Sequence, residues 1–177
     1  MKIILHNLFK VTARYGAIAG MLGAVLAIVL YFIGLHPLLF PIYFDFRVAL
    51  FGIFIFFALR EYRVVYGEGL LSMWQGMLGG LMFVMVYAIV SALLLYGFAL
   101  ANADFVTSFK ATFARQAKNF PPDVVQQIGH DKLDQMMAAL KETTAIDLVR
   151  NYFMQNFPIA TLVSIVVSVI ARRQVKL

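Results

Sequence analysis

Residues 72–100 read SMWQGMLGGLMFVMVYAIVSALLLYGFAL, 29 residues without a charged side chain. As a helix this stretch reaches about 44 Å, longer than the ~30 Å hydrocarbon core of a bilayer. Only lipid makes sense of so long an uncharged run. It is therefore read as a transmembrane span that tilts or begins among the headgroups. Trp74 and Gln75 near its start suit the headgroup level.

Upstream, Tyr66-Gly67-Glu68-Gly69 is a turn signal, and Arg60-Glu61-Tyr62-Arg63 closes a second apolar stretch. Only Val48 to Leu59 of that stretch is free of charge, about 18 Å of helix and too short to cross alone. Extending it back to Pro41, a good first helical residue, gives a span over 41–60. The extension sets Asp45 and Arg47 in the outer bilayer, amid Phe40, Tyr43, Phe44 and Phe46. Before it, residues 15–33 make a first span, and Gly34–Leu39 a short turn tipped with His36. At the N-terminus, Lys2, His6, Lys10 and Arg14 recur every four positions among apolar residues. Such a segment either lies on the inner membrane surface or extends the first span.

Downstream, residues 102–144 change character. Phe105, Phe109 and Phe113 share one helical face, and Pro121-Pro122 breaks that helix. Asp123 to Ile128 makes a short helical turn, and Asp131 to Glu142 aligns Leu133, Met136, Met137 and Leu140. Thr144 with Asp147 resembles a capping box. A last span follows over 146–171, kinked at Pro158 and stopped by Arg172-Arg173.

The expected fold is thus all-α: one domain, a four-span membrane bundle with an extracytoplasmic amphipathic helical cap between spans three and four. Charge supplies the orientation. Lys2, Lys10, Arg14, Arg60, Arg63, Arg172, Arg173 and Lys176, with Glu61 and Glu68, hold the entire net charge of +6 on one side. The other segments balance to zero. By the positive-inside rule that side is the cytoplasm, both termini included, and the membrane is the inner one. Because the excess is topological, no basic stripe is left for nucleic acid. The first apolar run is longer than a secretory h-region and lacks a small-x-small cleavage pattern, so it is read as retained. A hydrophobic fraction of 62% against 14% charged residues agrees with a chain solvated by lipid.

Cysteine is absent, which excludes disulfides, thiolate metal sites and cysteine nucleophiles. His6, His36 and His130 fall in the inner tail, the turn and the cap. His130-Asp131 with Asp123 and Asp134 offers metal-ligand residue types at no recognised spacing, and helix capping explains the aspartates more simply. No catalytic residue, metal or cofactor is expected, and the chain is read as no enzyme.

Three stripes of small residues recur every four positions: Gly16, Gly20 and Ala24; Ser72, Gly76 and Gly80; Ala160, Ser164 and Ser168. Such stripes let helices approach closely in lipid, as internal seams or as an interface for a second copy or a partner. Asp45 and Arg47 are ionisable groups at membrane depth. On one helix, i and i+2 positions do not face each other, so the pair reads as a lipid anchor or as the lining of an outer vestibule. No charge falls near the middle of any span, which counts against an ion-coupled transporter acting alone.

The run REYRVVYGEGLLSMWQGMLGG from Arg60 to Gly80 resembles a bacterial family of uncharacterised four-span membrane proteins, the domain-of-unknown-function family 4199. The resemblance extends over nearly the whole chain: two spans, this signature, a third span, a charged loop and a last span ending in basic residues. It implies the architecture and no catalytic residues. It also implies an envelope protein, encoded beside glycosyltransferases in some genomes. The function expected is a non-enzymatic accessory or scaffold subunit in contact with lipid and with a larger membrane protein or itself. A small oligomeric transporter or channel is the alternative, and an accessory to lipid-linked glycan or envelope synthesis the second.

Overall fold

A computed structural model describes residues 2–39 and 45–172. The described residues form seven helices: α1 Lys2–Phe32, α2 Phe46–Val65, α3 Met73–Ala101, α4 Asp104–Lys118, α5 Pro122–Ile128, α6 His130–Glu142 and α7 Ala145–Ala171, with a 3-10 turn at Pro37–Leu39. Three of them, α1, α3 and α7, are long and apolar enough to cross a membrane, which marks a multi-pass membrane protein. The fourth long helix, α2, has 20 residues, about 30 Å, but carries Arg47, Arg60, Glu61 and Arg63. Apolarity alone does not single it out.

The long helices form a ring. α1 packs on α2 and α3, α7 packs on the same two, and α2 and α3 lie diagonally. Phe51, Ile55, Leu59, Phe83, Tyr87 and Ala160 fill the centre. Inward faces repeat every four residues: Leu8, Thr12, Gly16, Gly20 and Ala24 on α1 are all buried. This settles the N-terminal segment. α1 runs unbroken from Lys2, with Leu8, Val11 and Thr12 inside the bundle. It therefore extends the first long helix, since nothing between residues 2 and 15 breaks or caps a helix.

The second stretch differs from expectation. α2 starts at Phe46, because Asp45 is extended (φ −70°, ψ 115°) and its carboxylate caps the Arg47 N–H. The helix then continues past residue 60 to Val65. Pro41 as a first helical residue lies outside the described residues. Glu68 (φ 50°) and Gly69 (φ 82°) take left-handed conformations in the following turn. A side chain at Gly67 would strike the Leu70 carbonyl, so that position needs glycine.

Ser72 is likewise outside its helix. It caps α3, its hydroxyl accepting from the Gln75 N–H while Gln75 accepts from the Ser72 N–H. Thr144 and Asp147 make the matching box at α7. Pro158 sits inside the continuous α7.

Residues 102–144 become α4, α5 and α6. Phe105 enters the bundle completely, among Tyr31, Phe98, Leu148 and Tyr152. Lys110 Nζ donates to the Lys141 carbonyl at 2.8 Å and ties α4 to the end of α6. At the opposite end, Arg14 and Glu61 pair at 2.5 Å, Tyr15 donates to Glu61 at 2.8 Å, and Arg63 Nη1 donates to the Ala171 carbonyl at 2.8 Å. Arg14 of α1, Arg63 of α2 and the C-terminal end of α7 therefore gather at one end of the bundle.

Candidate functional site

A buried charge is expensive unless paired, so the site is built around Arg47. Only 4% of Arg47 and 6% of Asp45 is exposed. Arg47 Nε donates to Asp45 Oδ1 and Oδ2, each at 2.8 Å, and Nη2 also bonds Oδ2. Nη1 donates to Asn156 Oδ1 at 3.2 Å and Nη2 to Gln155 Oε1 at 3.3 Å. The guanidinium also lies 5.1 Å from the centre of the Tyr152 ring. Asn156 Nδ2 donates to the Tyr152 carbonyl at 3.0 Å, and the Tyr152 and Tyr87 hydroxyls lie 3.3 Å apart. Beneath them, Ser91 Oγ donates to the Tyr87 carbonyl at 2.7 Å.

Asp45 and Arg47 are thus an ion pair after all. The i, i+2 rule holds for two helical residues. Here Asp45 precedes the helix, and its extended backbone swings the carboxylate back over the first turn. Burial also removes both side chains from headgroup contact. The cluster joins α2 to α7 and, through the tyrosines, to α3.

Charge alone does not mark Asn156 and Tyr152 in the sequence. A signal existed: Tyr152, Asn156, Ala160, Ser164 and Ser168 recur every four residues, so the small-residue stripe of α7 continues upward into polar side chains.

A second polar contact fastens α4. His36 Nε2 lies 3.2 Å from the Phe105 carbonyl, and the Leu38 N–H donates to Nδ1 at 3.4 Å. The ring stacks obliquely on Phe105, centroids 4.9 Å apart, and meets Phe109 edge-on. With Nδ1 accepting, the ring is neutral and Nε2 carries the proton. Burial lowers the His36 pKa from 6.5, against the raising effect of the Phe105 carbonyl. The folded state therefore binds fewer protons than the unfolded chain below that value. The contribution of His36 is complete above 6.5 and is lost as pH falls through the depressed folded value. Acidification from about pH 8 to about pH 5 is expected to lower the hydrogen-exchange protection of α4, each rate being referred to the intrinsic exchange rate at its own pH. In His36→Gln, which gains no proton, that acid response should be absent.

Residues 14–173 match the family described as protein of unknown function (DUF4199). The chain belongs to that family. No curated protein and no solved structure matches it.

In this DUF4199 protein the small residues meet across two seams. On the α1–α3 seam, a Cβ at Gly16 would lie 2.7 Å from the Phe83 carbonyl oxygen, and one at Gly20 2.9 Å from that of Tyr87. On the α3–α7 seam, Gly76 faces Ser168 and Gly80 faces Ser164. Both serine hydroxyls are buried without a conventional partner. Their placement against glycine Cα atoms suits Cα–H···O contacts. Ala24 and Ala160 are buried on the same faces.

Two surface hollows complete the picture. One, of about 580 Å³, runs between α2 and α7 and is lined only by apolar residues and Gly52. The other, of about 470 Å³, is bounded by α4, α6 and the start of α7 and mixes aromatic with charged side chains. Among the described residues no three His, Cys, Asp or Glu converge on a metal position. Asp123, Asp131 and Asp134 are exposed on α5 and α6, and the His130 side chain lies outside the described residues.

Proposed function

We propose that the protein is a non-enzymatic scaffold subunit of a bacterial inner membrane, with four crossings, both termini cytoplasmic and α4–α6 as a cap on the far side. Support for α2 as a crossing comes from its length and its place between α1 and α7. The gathering of Arg14, Arg63 and the α7 terminus at one end supports the common cytoplasmic face. The Asp45–Arg47 pair weighs against the transporter alternative. Its hydrogen bonds are spent on Asp45, Asn156 and Gln155, and aromatic side chains fill the bundle beneath it.

The observation that carries the scaffold reading is the groove between α2 and α7. Val48, Gly52 and Phe56 form one wall, Leu162, Val166 and Ile170 the other. A Cβ at Gly52 would meet nothing within 4 Å, so the α2 backbone is bare there. The walls run about two helical turns, and a small residue on a groove floor lets another helix approach closely. Its occupant in this reading is a transmembrane helix of a larger membrane protein.

Photocrosslinking tests this. A benzoylphenylalanine replacing Gly52 should give one discrete heavier protein adduct in native membranes. The same group replacing Leu93, 66% exposed on α3, should give none. An adduct of twice the protein's own mass would replace the partner with a second copy. Labelling of lipid alone would overturn the scaffold reading.

A further inference from the structure

The hollow bounded by α4, α6 and α7 has the make-up of a headgroup site. Its apolar wall is Phe109 and Phe113 of α4, stacked on each other at 6.1 Å, with Met136 and Leu140 of α6. Its polar rim is Glu142, Arg150 and Asn151. The Lys110 to Lys141 bond holds the two cap helices together beside it. A volume of about 470 Å³ falls within the ~300–1,000 Å³ of small-ligand sites.

Its depth follows from α7. About 20 helical residues cover a ~30 Å hydrocarbon core. Counted back from Ala171, they end close to Tyr152. Arg150 and Asn151 therefore sit at the headgroup level, with the apolar side of the hollow beside them.

The rim charges choose the ligand. Glu142 makes no ion pair among the described residues. Asp147 is held by Thr144, and Arg150 reaches it only at 3.5 Å while staying 69% exposed. A free carboxylate thus stands beside a guanidinium with donors to spare. A purely anionic headgroup meets Glu142 and Asp147, and a purely cationic one meets Arg150. We propose that the cleft binds a zwitterionic aminophospholipid, phosphatidylethanolamine in chemical class. Its ammonium bonds Glu142, its phosphate bonds Arg150 and Asn151, and the upper part of a chain lies on Phe109, Phe113 and Met136. This deepens the proposed function, because it rests on α4–α6 being an interfacial cap.

The test uses the full chain, purified and delipidated in mild detergent. Phosphatidylethanolamine, phosphatidylcholine and phosphatidylglycerol are offered separately, and native mass spectrometry reads retention. Phosphatidylethanolamine is expected to be retained about tenfold over the other two, the scale of one charge-assisted hydrogen bond. Phosphatidylcholine has no N–H to offer Glu142. Ala139→Trp, which fills the cleft from α6, should abolish retention. Glu142→Gln, at an exposed position, should weaken phosphatidylethanolamine to the level of phosphatidylcholine without affecting the fold. Equal retention of all three lipids, or selective retention untouched by both variants, would overturn the site. A reporter fused after Leu177 tests the topology separately. If it reads on the far side, the four-span reading fails, while selective retention in detergent would still establish the cleft, then filled from the other leaflet.

Discussion

Arg47→Ala is expected to destabilise the bundle by about 3–5 kcal/mol, the range for breaking a buried ion pair from one side. The variant leaves the Asp45 carboxylate inside the protein with only the backbone N–H of residue 47 as a donor. For a chain of this size the loss corresponds to a fall in Tm on the order of 10 °C in detergent. Asp45→Ala should be at least as harmful, because it strands the guanidinium and also removes the helix cap, itself worth about 1 kcal/mol. The instructive variant is the double one, Asp45→Asn with Arg47→Met. Asparagine retains the cap, methionine fills much of the arginine volume, and no charge is left unpaired. Its stability should lie within about 1 kcal/mol of the parent, so the cycle should show strong coupling. Thermal unfolding of the four proteins measures it. The double variant also divides the functional readings. A scaffold should keep the photocrosslink at position 52, whereas a transporter using these charges as its vestibule should lose solute flux in reconstituted vesicles.

The same residues show where sequence reading stops. α1, α3 and α7 are legible because a long uncharged run has one physical use. α2 is legible as an element and not in its bounds. From sequence alone, Asp45 is a charge inside a span. From the backbone, it is the residue that caps helix α2. Capping and ion pairing share one carboxylate there, and only the dihedrals at Asp45 decide it. Phe105, Phe109 and Phe113 share a face, as their spacing requires, yet they serve two purposes. Phe105 is fully buried in the bundle, whereas Phe109 and Phe113 line a cleft. Helical periodicity gives the face and says nothing of where the bundle ends along it. The cleft joins residues more than twenty positions apart, α4 against α6 and α7, which is a matter of tertiary packing. Asn156 carries no charge to mark it, yet its place on the four-residue stripe of α7 points it inward.

The small residues themselves offer the second large effect, because the structure ranks them. Gly16→Ala and Gly20→Ala should each destabilise by about 1–3 kcal/mol. The new methyl meets the Phe83 and Tyr87 carbonyls of α3 at 2.7 and 2.9 Å, and a helix backbone yields only if the two helices separate. Gly52→Ala and Gly97→Ala meet nothing within 4 Å, so they should be neutral or stabilise by up to about 1 kcal/mol through helix propensity. Gly80→Ala belongs with the harmful pair for another reason: its methyl meets the side chain of Ser164, Oγ and Cβ both, while the Ser164 Cα stays 3.6 Å away. Trimming that side chain should therefore cure it. Ser164→Gly combined with Gly80→Ala moves the bulk from α7 to α3 across the same seam and should recover most of the loss. No single side-chain deletion on α3 should rescue Gly16→Ala, since a carbonyl cannot be trimmed. Thermal unfolding of these variants decides the matter. Equal effects at positions 16 and 52 would mean that close approach of α1 and α3 does not hold the bundle. Rescue at the serine seam and none at the carbonyl seam would establish that α3 is gripped from both sides, by backbone contact with α1 and by interlocked glycine and serine with α7.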